Sequence, residues 1–441
     1  MTSRVDRRAL LLGSAAAAGA GGARSRSKRP GPGPGGHFLW GSAGAAYQIE
    51  GGNYASDVWL LEHLQPKLFQ EPSGDADDTY HRYREDIALA ASFGFNAHRL
   101  SIEWSRIEPE PGQISTASLA YYQRVLETIR AHGMTPVVTF NHFTTPRWFA
   151  AAGGFSTPAG VEPFVRYCRL LSERLGHLIG LAATFNEPNL GAQLSWSPTG
   201  ARTRPAFDAV LRSARAASGS PNWSAPVLGD WRVQQPIMIE AHNRAYDAIK
   251  SASSSRFPVG VTLALAEERD PAEGPSGVAN KQSQVMTPWL AGHGDFVGVQ
   301  NYTYAVVSPE GDLPPPRGVE LTQMGYPFAP EALEGVIRVV AARTKRPIYV
   351  TENGVATLDD ARRVAFIDRA TQGLFRCLAD GIDVRGYIHW SLLDNWEWFA
   401  GYRPKFGLVA VDRQSFQRTP KPSAHHLGRI ARAGLPAGLR A

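Results

Sequence analysis

From residue 38 onward, short apolar runs alternate with segments in which apolar residues recur at helical spacing. The runs contain few polar interruptions, as expected of strands that protein covers on both faces. Eight segments have this character: HFLWGSA, AHRLSI, TPVVTF, LAATFN, PVGVTLAL, DFVGVQNY, PIYVTEN and VRGYIHWS. Among the helical patterns, YYQRVLETIRAHG places one apolar stripe on Tyr122, Val125, Leu126 and Ile129. Eight strands alternating with helices predict either a (β/α)8 barrel or a doubly wound open sheet.

Polar residues at the carboxyl ends of the predicted strands favour the barrel. A closed barrel gathers these ends at one face, where its active sites lie, whereas an open sheet would spread them along an edge. We therefore predict a single (β/α)8 TIM barrel with long βα loops at its C-terminal face, over residues 190–236, 267–287 and 303–330. The polar residues concerned are Gln48, Arg99, Asn141, His142, Asn186, Glu187, Gln300, Asn301, Tyr302, Glu352, Asn353, His389 and Trp390.

Two glutamates, Glu187 in TFNEPN and Glu352 in IYVTENGVA, each follow a predicted buried strand. A buried carboxylate is costly unless it has a partner or a task. Two carboxylates across a cleft suit cleavage of a glycosidic bond, because one protonates the leaving oxygen while the other attacks or activates water. We expect burial and a negative neighbour to raise the pKa of Glu187, and we expect Arg99 and Tyr302 to keep Glu352 ionised. The alternative interpretation is that either glutamate caps a turn or pairs with an arginine.

The net charge of +6 is confined to the first 36 residues. Seven of the 46 basic and one of the 40 acidic residues lie there, so that residues 37–441 hold 39 of each. This balance removes any argument for a nucleic-acid or membrane-surface partner. With 43% hydrophobic residues the chain can bury a sizeable core. Cys168 and Cys377 lie in separate predicted helices, so we expect buried free thiols.

Residues 1–23 have the features of a twin-arginine-type export signal. Arg7 and Arg8 precede a short Leu/Ala/Gly run with small-residue cleavage options after Ala20 and Ala23. The run is too short to span a bilayer. A retained anchor and a disordered basic tail are the alternatives. We predict export to the periplasm or outside a bacterial cell, a flexible Gly/Pro/Arg-rich spacer over residues 24–36, and a catalytic barrel over residues 37–441.

The chain resembles glycoside hydrolase family 1, the β-glucosidase family, from Phe38 to about Asp412. Seven motifs occur in the family's order: FLWGSAGAAYQIEG, HRLSIEWSRI, TFNHFTTPRW, TFNEPN, DFVGVQNY, YVTENG and YIHWSLLDNWEWFAGYRPKFGLVAVD. The resemblance implies that Glu187 is the acid/base and Glu352 the nucleophile of a retaining double displacement, with no metal or cofactor. It also implies that Arg99 and Tyr302 orient the nucleophile. The sugar-binding positions that it implies are Gln48, His142, Asn186, Trp390, Glu397 and Trp398.

Some of these residues have structural alternatives, and the chain departs from the family pattern in places. His142 could be a core histidine, Trp390 packing, and Arg99 part of a structural ion pair. The roles of Gln300 and Asn301 stay open, because the family usually has Asn-Tyr-Tyr where this chain has Gln-Asn-Tyr. The segment GGNYASDVWLLEHLQPKLFQ replaces a lysine- and glycine-rich one and could reshape a cleft wall.

We expect a secreted retaining exo-β-glycosidase, with β-glucosidase as the leading activity. Glu397 favours an unphosphorylated sugar, because in the phosphoglycosidase branch that position is typically not acidic. The expected partner is a small β-glycoside or oligosaccharide, with neither nucleic acid nor stable membrane insertion. A transglycosylase, a non-catalytic carbohydrate-binding barrel and an endo-acting barrel glycosidase are the alternatives. Residues 195–235 and 303–330 are expected to shape the aglycone side, with Trp196, Trp223 and Trp231 as candidate platforms.

Overall fold

A computed structural model of the chain describes residues 37–252 and 256–439. The predicted export signal and spacer lie outside the described residues. Among those residues, no helix combines the length and apolar character needed to cross a bilayer.

Eight parallel strands close into a barrel in the order β1-β11-β10-β7-β5-β4-β3-β2, which confirms the predicted fold. All eight sequence segments predicted as strands are barrel strands. The strands of the described residues are β1 (Leu39–Ala43), β2 (Ala97–Ser101), β3 (Thr135–Asn141), β4 (Leu181–Asn186), β5 (Val259–Ala264), β6 (Glu267–Arg269), β7 (Phe296–Asn301), β8 (Tyr304–Ser308), β9 (Gly311–Asp312), β10 (Ile348–Asn353), β11 (Val384–Trp390), β12 (Val409–Val411) and β13 (Arg418–Pro420).

Helices connect the barrel strands along the chain. They are α1 (Ala46–Ile49), α2 (Asp57–Glu62), α3 (Thr79–Ser92), α4 (Trp104–Ile107), α5 (Thr116–Ala131), α6 (Arg147–Ala151), α7 (Val161–Leu175), α8 (Leu190–Trp196), α9 (Pro198–Ser218), α10 (Trp231–Ser251), α11 (Val278–Val285), α12 (Thr287–Leu290), α13 (Ala332–Ala341), α14 (Asp360–Ala379) and α15 (Pro422–Ala433). Short 3-10 turns occupy Gly154–Ser156, Pro158–Gly160, Trp398–Ala400 and Ala437–Leu439.

The core is the apolar layer between strands and helices. In α5 the predicted stripe is buried, the Ser115 hydroxyl caps the helix start by accepting from the Ser118 amide at 3.2 Å, and Gly133 follows its end with φ +76°. The rings of Phe164 on α7 and Phe185 on β4 stack at 4.3 Å between centroids. Cys168 on α7 and Cys377 on α14 are free and buried, as predicted.

The predicted long loops are wrong in part. Most of residues 190–236 is helical, in α8, α9 and the start of α10. The stretch PTGARTRP is typical of a loop, but its first proline occupies the first turn of α9, where a missing N–H costs nothing, and the Ser197 hydroxyl accepts from the Gly200 amide at 2.9 Å. The connections after β5 and β7 form a small sheet of β6, β8 and β9.

Candidate active site

Barrel closure brings the predicted site residues to the carboxyl ends of the strands. Asn186 and Trp390 end β4 and β11, whereas Arg99, Gln300 and Glu352 lie within β2, β7 and β10. Each of these five side chains is buried. Polar side chains buried together at this end of a barrel need partners, and they find them in one another.

Three donors surround the Glu352 carboxylate. Arg99 donates through Nη1 to Oε1, and the Tyr302 hydroxyl donates to Oε2, both at very short range. Gln300 Nε2 adds a 2.9 Å hydrogen bond to Oε1. The expected contacts with Arg99 and Tyr302 are therefore confirmed, and the ion-pair alternative for Arg99 coincides with them.

The expected effect on the pKa of Glu352 needs correction. Burial raises the pKa of this carboxyl above its ordinary value, although the Arg99 charge and the Tyr302 hydrogen bond lower it. The Arg99 cation is visible in the sequence, whereas the loss of hydration at Glu352 is not. Taken out of water, a carboxylate needs these donors merely to offset much of the cost of its charge.

Glu187 follows β4 in a left-handed backbone conformation with φ 44°. This conformation is uncommon for a residue with a side chain, and it is fixed here by the Glu187 amide, which donates to the Thr262 carbonyl at 2.9 Å. Burial, followed by the negative charge of Glu352, raises the pKa of Glu187 well above the ordinary value, while Arg99 opposes the shift. The expected direction is confirmed, and a carboxyl in this state suits proton donation.

Asn186, which precedes Glu187 in the chain, shares the donors Arg99 and Gln300 with Glu352. Its Oδ1 accepts from Arg99 Nη2 at 2.5 Å, from Gln300 Nε2 at 2.8 Å and from the Thr262 hydroxyl at 3.3 Å. Three donors at one oxygen fix the orientation of the amide. The opposite end of the amide, Nδ2, is therefore the end directed to other partners.

Aromatic rings and an acid form the next wall of the site. Trp390 Nε1 donates to Glu397 Oε1 at 3.1 Å, and burial raises the pKa of the Glu397 carboxyl to about 8. The His142 ring is parallel to the Trp390 and Trp398 rings, with centroid distances of 5.8 and 6.3 Å. Burial and the Arg99 charge lower the pKa of His142 well below its ordinary value, so its imidazole is neutral.

Gln48 closes the same wall from α1. Its Nε2 donates to Asn395 Oδ1 at 3.1 Å and to the Trp396 carbonyl at 2.9 Å. Among the described residues its Oε1 is buried without a hydrogen-bond partner. An unpaired buried acceptor is costly in the free protein, and a ligand hydroxyl is a group that would satisfy it. Contacts and charge interactions thus join nine of the ten predicted site residues, and Gln48 is joined to them through Asn395 and Trp396, which precede Glu397. The individual roles of the ten residues stay predictions.

Two residues at the site had no role predicted from the sequence. Gln300, which was left open, donates to both Asn186 and Glu352, whereas its neighbour Asn301 donates to the Leu265 and Thr303 carbonyls at 2.8 and 2.9 Å. The available signal in the sequence was that Gln300 is longer than the asparagine that the family usually has at this position.

Tyr326 is the second missed residue, in a tight turn where the Thr322 amide donates to its carbonyl at 2.8 Å. Tyr326 is 38% exposed overall, but burial of its hydroxyl and the charges of Glu187 and Glu397 raise the pKa of Tyr326 to about 12. Its segment, TQMGYPF, shows no periodicity that would have identified it.

The three candidate tryptophan platforms differ in exposure. Trp223 is 0% exposed and packs within an apolar cluster, so its proposed role as a platform is wrong. Trp196 is 9% exposed. Trp231, at the start of α10, is half-buried and lines a small cavity together with Glu187. The divergent segment after β1 forms α2, and its Asp57 amide donates to the Thr145 carbonyl at 2.8 Å, which places it against the loop after β3.

The known proteins that resemble this chain in sequence include β-glucosidases. The family model described as glycosyl hydrolase family 1 matches residues 34–293 and 290–434. Beta-glucosidase A of Thermotoga maritima is 28% identical over 90% of this chain and 97% of its own length. Thermostable beta-glucosidase B of Thermobispora bispora is 30% identical, with 88% of each chain covered.

Solved structures that resemble the chain include a β-glucosidase and a β-glycosidase. The apo structure of a beta-glucosidase 1317 superposes with a TM-score of 0.90 at 66% identity, covering 91% of this chain and 100% of that one. A beta-glycosidase called BGL167 gives 0.86 at 46% identity, covering 91% and 97%.

Proposed function

Because the chain belongs to glycosyl hydrolase family 1, and is therefore an O-glycosyl hydrolase of class EC 3.2.1, we propose that it is a retaining exo-β-glycosidase acting on unphosphorylated β-D-glycosides. Glucose is the proposed sugar, since relatives matched over most of their length are named β-glucosidases.

One observation carries the proposal: two buried carboxyls share a site but have different surroundings. Glu352 is surrounded by Arg99, Tyr302 and Gln300, all of which donate to it. Glu187 instead experiences burial and the Glu352 charge, which favour its protonated form. Two carboxyls whose environments separate their proton affinities are the arrangement that acid/base and nucleophile roles require.

The reaction proceeds in two displacements. Glu352 attacks the anomeric carbon and forms a glycosyl ester, while Glu187 transfers its proton to the departing glycosidic oxygen. Glu187, now ionised, takes a proton from water as that water attacks the anomeric carbon, and the Glu352 ester breaks. Both carboxyls return to their starting states, and the product keeps the β configuration.

Residues around the two glutamates bind the sugar. Gln48, His142, Asn186, Glu397 and Trp398 bind its hydroxyl groups. The free Oε1 of Gln48 accepts one of them, and the neutral His142 ring can donate or accept. Trp390 provides a flat apolar face for the sugar ring. A sugar 6-phosphate would add negative charge to a pocket that already holds three carboxyls, which supports an unphosphorylated substrate.

Product stereochemistry tests the mechanism. Hydrolysis of 4-nitrophenyl β-D-glucoside, followed by proton NMR before mutarotation, should show the β anomer first. Initial α-glucose would indicate inversion and reject the double displacement. Absence of hydrolysis, with retained glucose binding, would favour the non-catalytic carbohydrate-binding barrel.

Export is proposed separately, from residues 1–23. Replacing Arg7 and Arg8 by lysine should retain the protein in the cytoplasm of a bacterial host, because twin-arginine export depends on that pair. Unchanged export of the Arg7→Lys/Arg8→Lys variant would reject this localisation.

A further inference from the structure

The connection between β4 and α10 is more basic than the domain that contains it. Residues 190–236 hold five arginines and two aspartates, whereas residues 37–441 as a whole hold 39 basic and 39 acidic residues. A local excess of three positive charges in a balanced domain attracts anions to this part of the surface.

Depressions that have lining residues in common extend from Glu187 to this segment. The small cavity that Glu187 lines has Gly191, Val227 and Trp231 in common with a groove of about 490 Å³. That groove has Arg204 in common with a further depression of about 430 Å³. Because Trp231 lines both the cavity and the groove, the groove lies on the Trp231 side of the predicted proton donor.

The side chains along the two depressions carry a net positive charge. Four arginines line them against two aspartates: Arg204, Arg212, Arg215 and Arg232 against Asp208 and Asp230. Arg204 pairs with Asp208, and both side chains remain 41% and 43% exposed. The two depressions therefore have an excess of two positive charges after each aspartate is matched with one arginine.

Arg232 combines charge with an aromatic surface. Its guanidinium stacks over the Trp231 ring at 4.9 Å, and its ion pair with Asp230 is long, at 3.9 Å. The Arg232 side chain is 70% exposed, so its donors remain accessible. A planar guanidinium beside an aromatic ring matches a ligand that carries both a ring and a carboxylate.

The buried end of the cleft disfavours the charge of the same ligand. Glu187, Glu352 and Glu397 are buried there, and the Arg99 guanidinium is already paired with Glu352. A carboxylate would lose its hydration there, whereas the exposed arginines of the groove favour it. This asymmetry orients an acidic substrate with its neutral sugar inward and its charge outward.

We propose that this groove, resting on the proposed glycosidase function, binds the carboxylate of an acidic aglycone, and that Arg204 and Arg232 determine the preference for it. The feature that both kinds of ligand share is a carboxylate carried by the ring that is attached to the glycosidic oxygen. An aromatic acid and a uronic acid residue both satisfy it.

Two matched substrate pairs test the inference and separate these sources. The first is 4-(carboxymethyl)phenyl and 4-(carbamoylmethyl)phenyl β-D-glucoside, in which a methylene keeps the leaving groups similar. The second is β-D-glucosyl-(1→4)-glucuronic acid and cellobiose. In at least one pair the acid should have the higher kcat/KM, and the Arg204→Gln/Arg232→Gln variant should reduce the acid-to-neutral ratio about three- to tenfold. Raising the salt concentration should reduce that ratio in the unmodified protein.

Arg385→Gln is the matched control, because Arg385 lies near the amino end of β11 and is exposed there. It should leave both ratios unchanged. The single Arg232→Gln variant guards against loss of folding, because Arg204 also donates to the Gly229 carbonyl at 3.1 Å and Arg232 is more exposed. Reduction of the ratio in the single variant would support the inference.

4-Nitrophenyl β-D-glucoside distinguishes failure of the groove inference from failure of the proposed function. If this neutral substrate is hydrolysed but neither acid is preferred, or if the preference survives both variants, the groove inference is rejected and the proposed function stands. If no substrate is hydrolysed, the proposed function fails and the inference fails with it.

Discussion

The proposed sugar side and the proposed aglycone side of the cleft are built from different kinds of structure. Arg99, Asn186, Gln300 and Glu352 belong to strands whose backbones are hydrogen-bonded on both sides within the closed barrel. On the proposed aglycone side lie α8, α9, the start of α10 and the turn that carries Tyr326. The proposed reacting groups thus lie on the rigid scaffold, and the groups proposed to select among aglycones lie on the connections. Substitutions on the two sides should therefore change different kinetic quantities.

Among the substitutions, Glu187→Ala is expected to have the largest effect on kcat/KM. The variant should lose about 10²- to 10⁴-fold in kcat/KM for methyl β-D-glucoside, whose leaving group needs a proton. It should lose far less for 2,4-dinitrophenyl β-D-glucoside, whose leaving group departs as an anion. Steady-state kinetics on the two substrates measure the difference, and equal losses would count against Glu187 as the acid.

Gln300→Leu is expected to have the next largest effect, on the sugar side. Gln300→Leu should reduce kcat/KM about 10- to 100-fold, because a buried hydrogen bond to a charged carboxylate is lost. That bond favours the ionised form of Glu352, so its loss raises the pKa of Glu352 further. The acid limb of the pH profile of kcat/KM should consequently move to higher pH.

Gln300→Asn is the matched control, since it keeps the amide on a shorter side chain and should restore part of the rate and of the acid limb. If Gln300→Leu lowers the rate equally at every pH, Gln300 serves packing and does not position the nucleophile.

The smallest effects are expected on the aglycone side. Tyr326→Phe should reduce kcat/KM for cellobiose about two- to tenfold, because it removes one buried hydroxyl that interacts with the charges of Glu187 and Glu397. The ratio of glucoside to galactoside turnover should stay constant, since the residues that bind the sugar are untouched. A large change in that ratio, measured with the two nitrophenyl glycosides, would place Tyr326 on the sugar side.

The same division explains what the sequence predicted. Glu187 and Glu352 were recognisable because each ends or follows an apolar run, and barrel closure alone brings such positions together. The direction of the Glu187 pKa also followed from burial and a negative neighbour. For Glu352 the cost of burial was not visible, because it depends on how completely the surrounding side chains exclude water.

The connections were harder to predict. Pro198, at the first turn of α9, made a helix resemble a loop. The burial of Trp223 is determined by packing of α2, α6 and α9 around it, which no local pattern records. Tyr326 reaches the site through a turn whose position depends on contacts distant in the sequence, such as the Gln323 amide donating to the Ala356 carbonyl at 3.0 Å.

Rescue of Glu352→Gly by azide tests the assignment of the two glutamates most directly. The truncated variant should be inactive on 2,4-dinitrophenyl β-D-glucoside alone, because it has no group to form the glycosyl ester. Added azide should enter the space left by the carboxylate and produce α-D-glucosyl azide, identified by NMR. Formation of the β azide would mean that the anion replaces Glu187 in the second displacement, and the roles of Glu187 and Glu352 would be reversed.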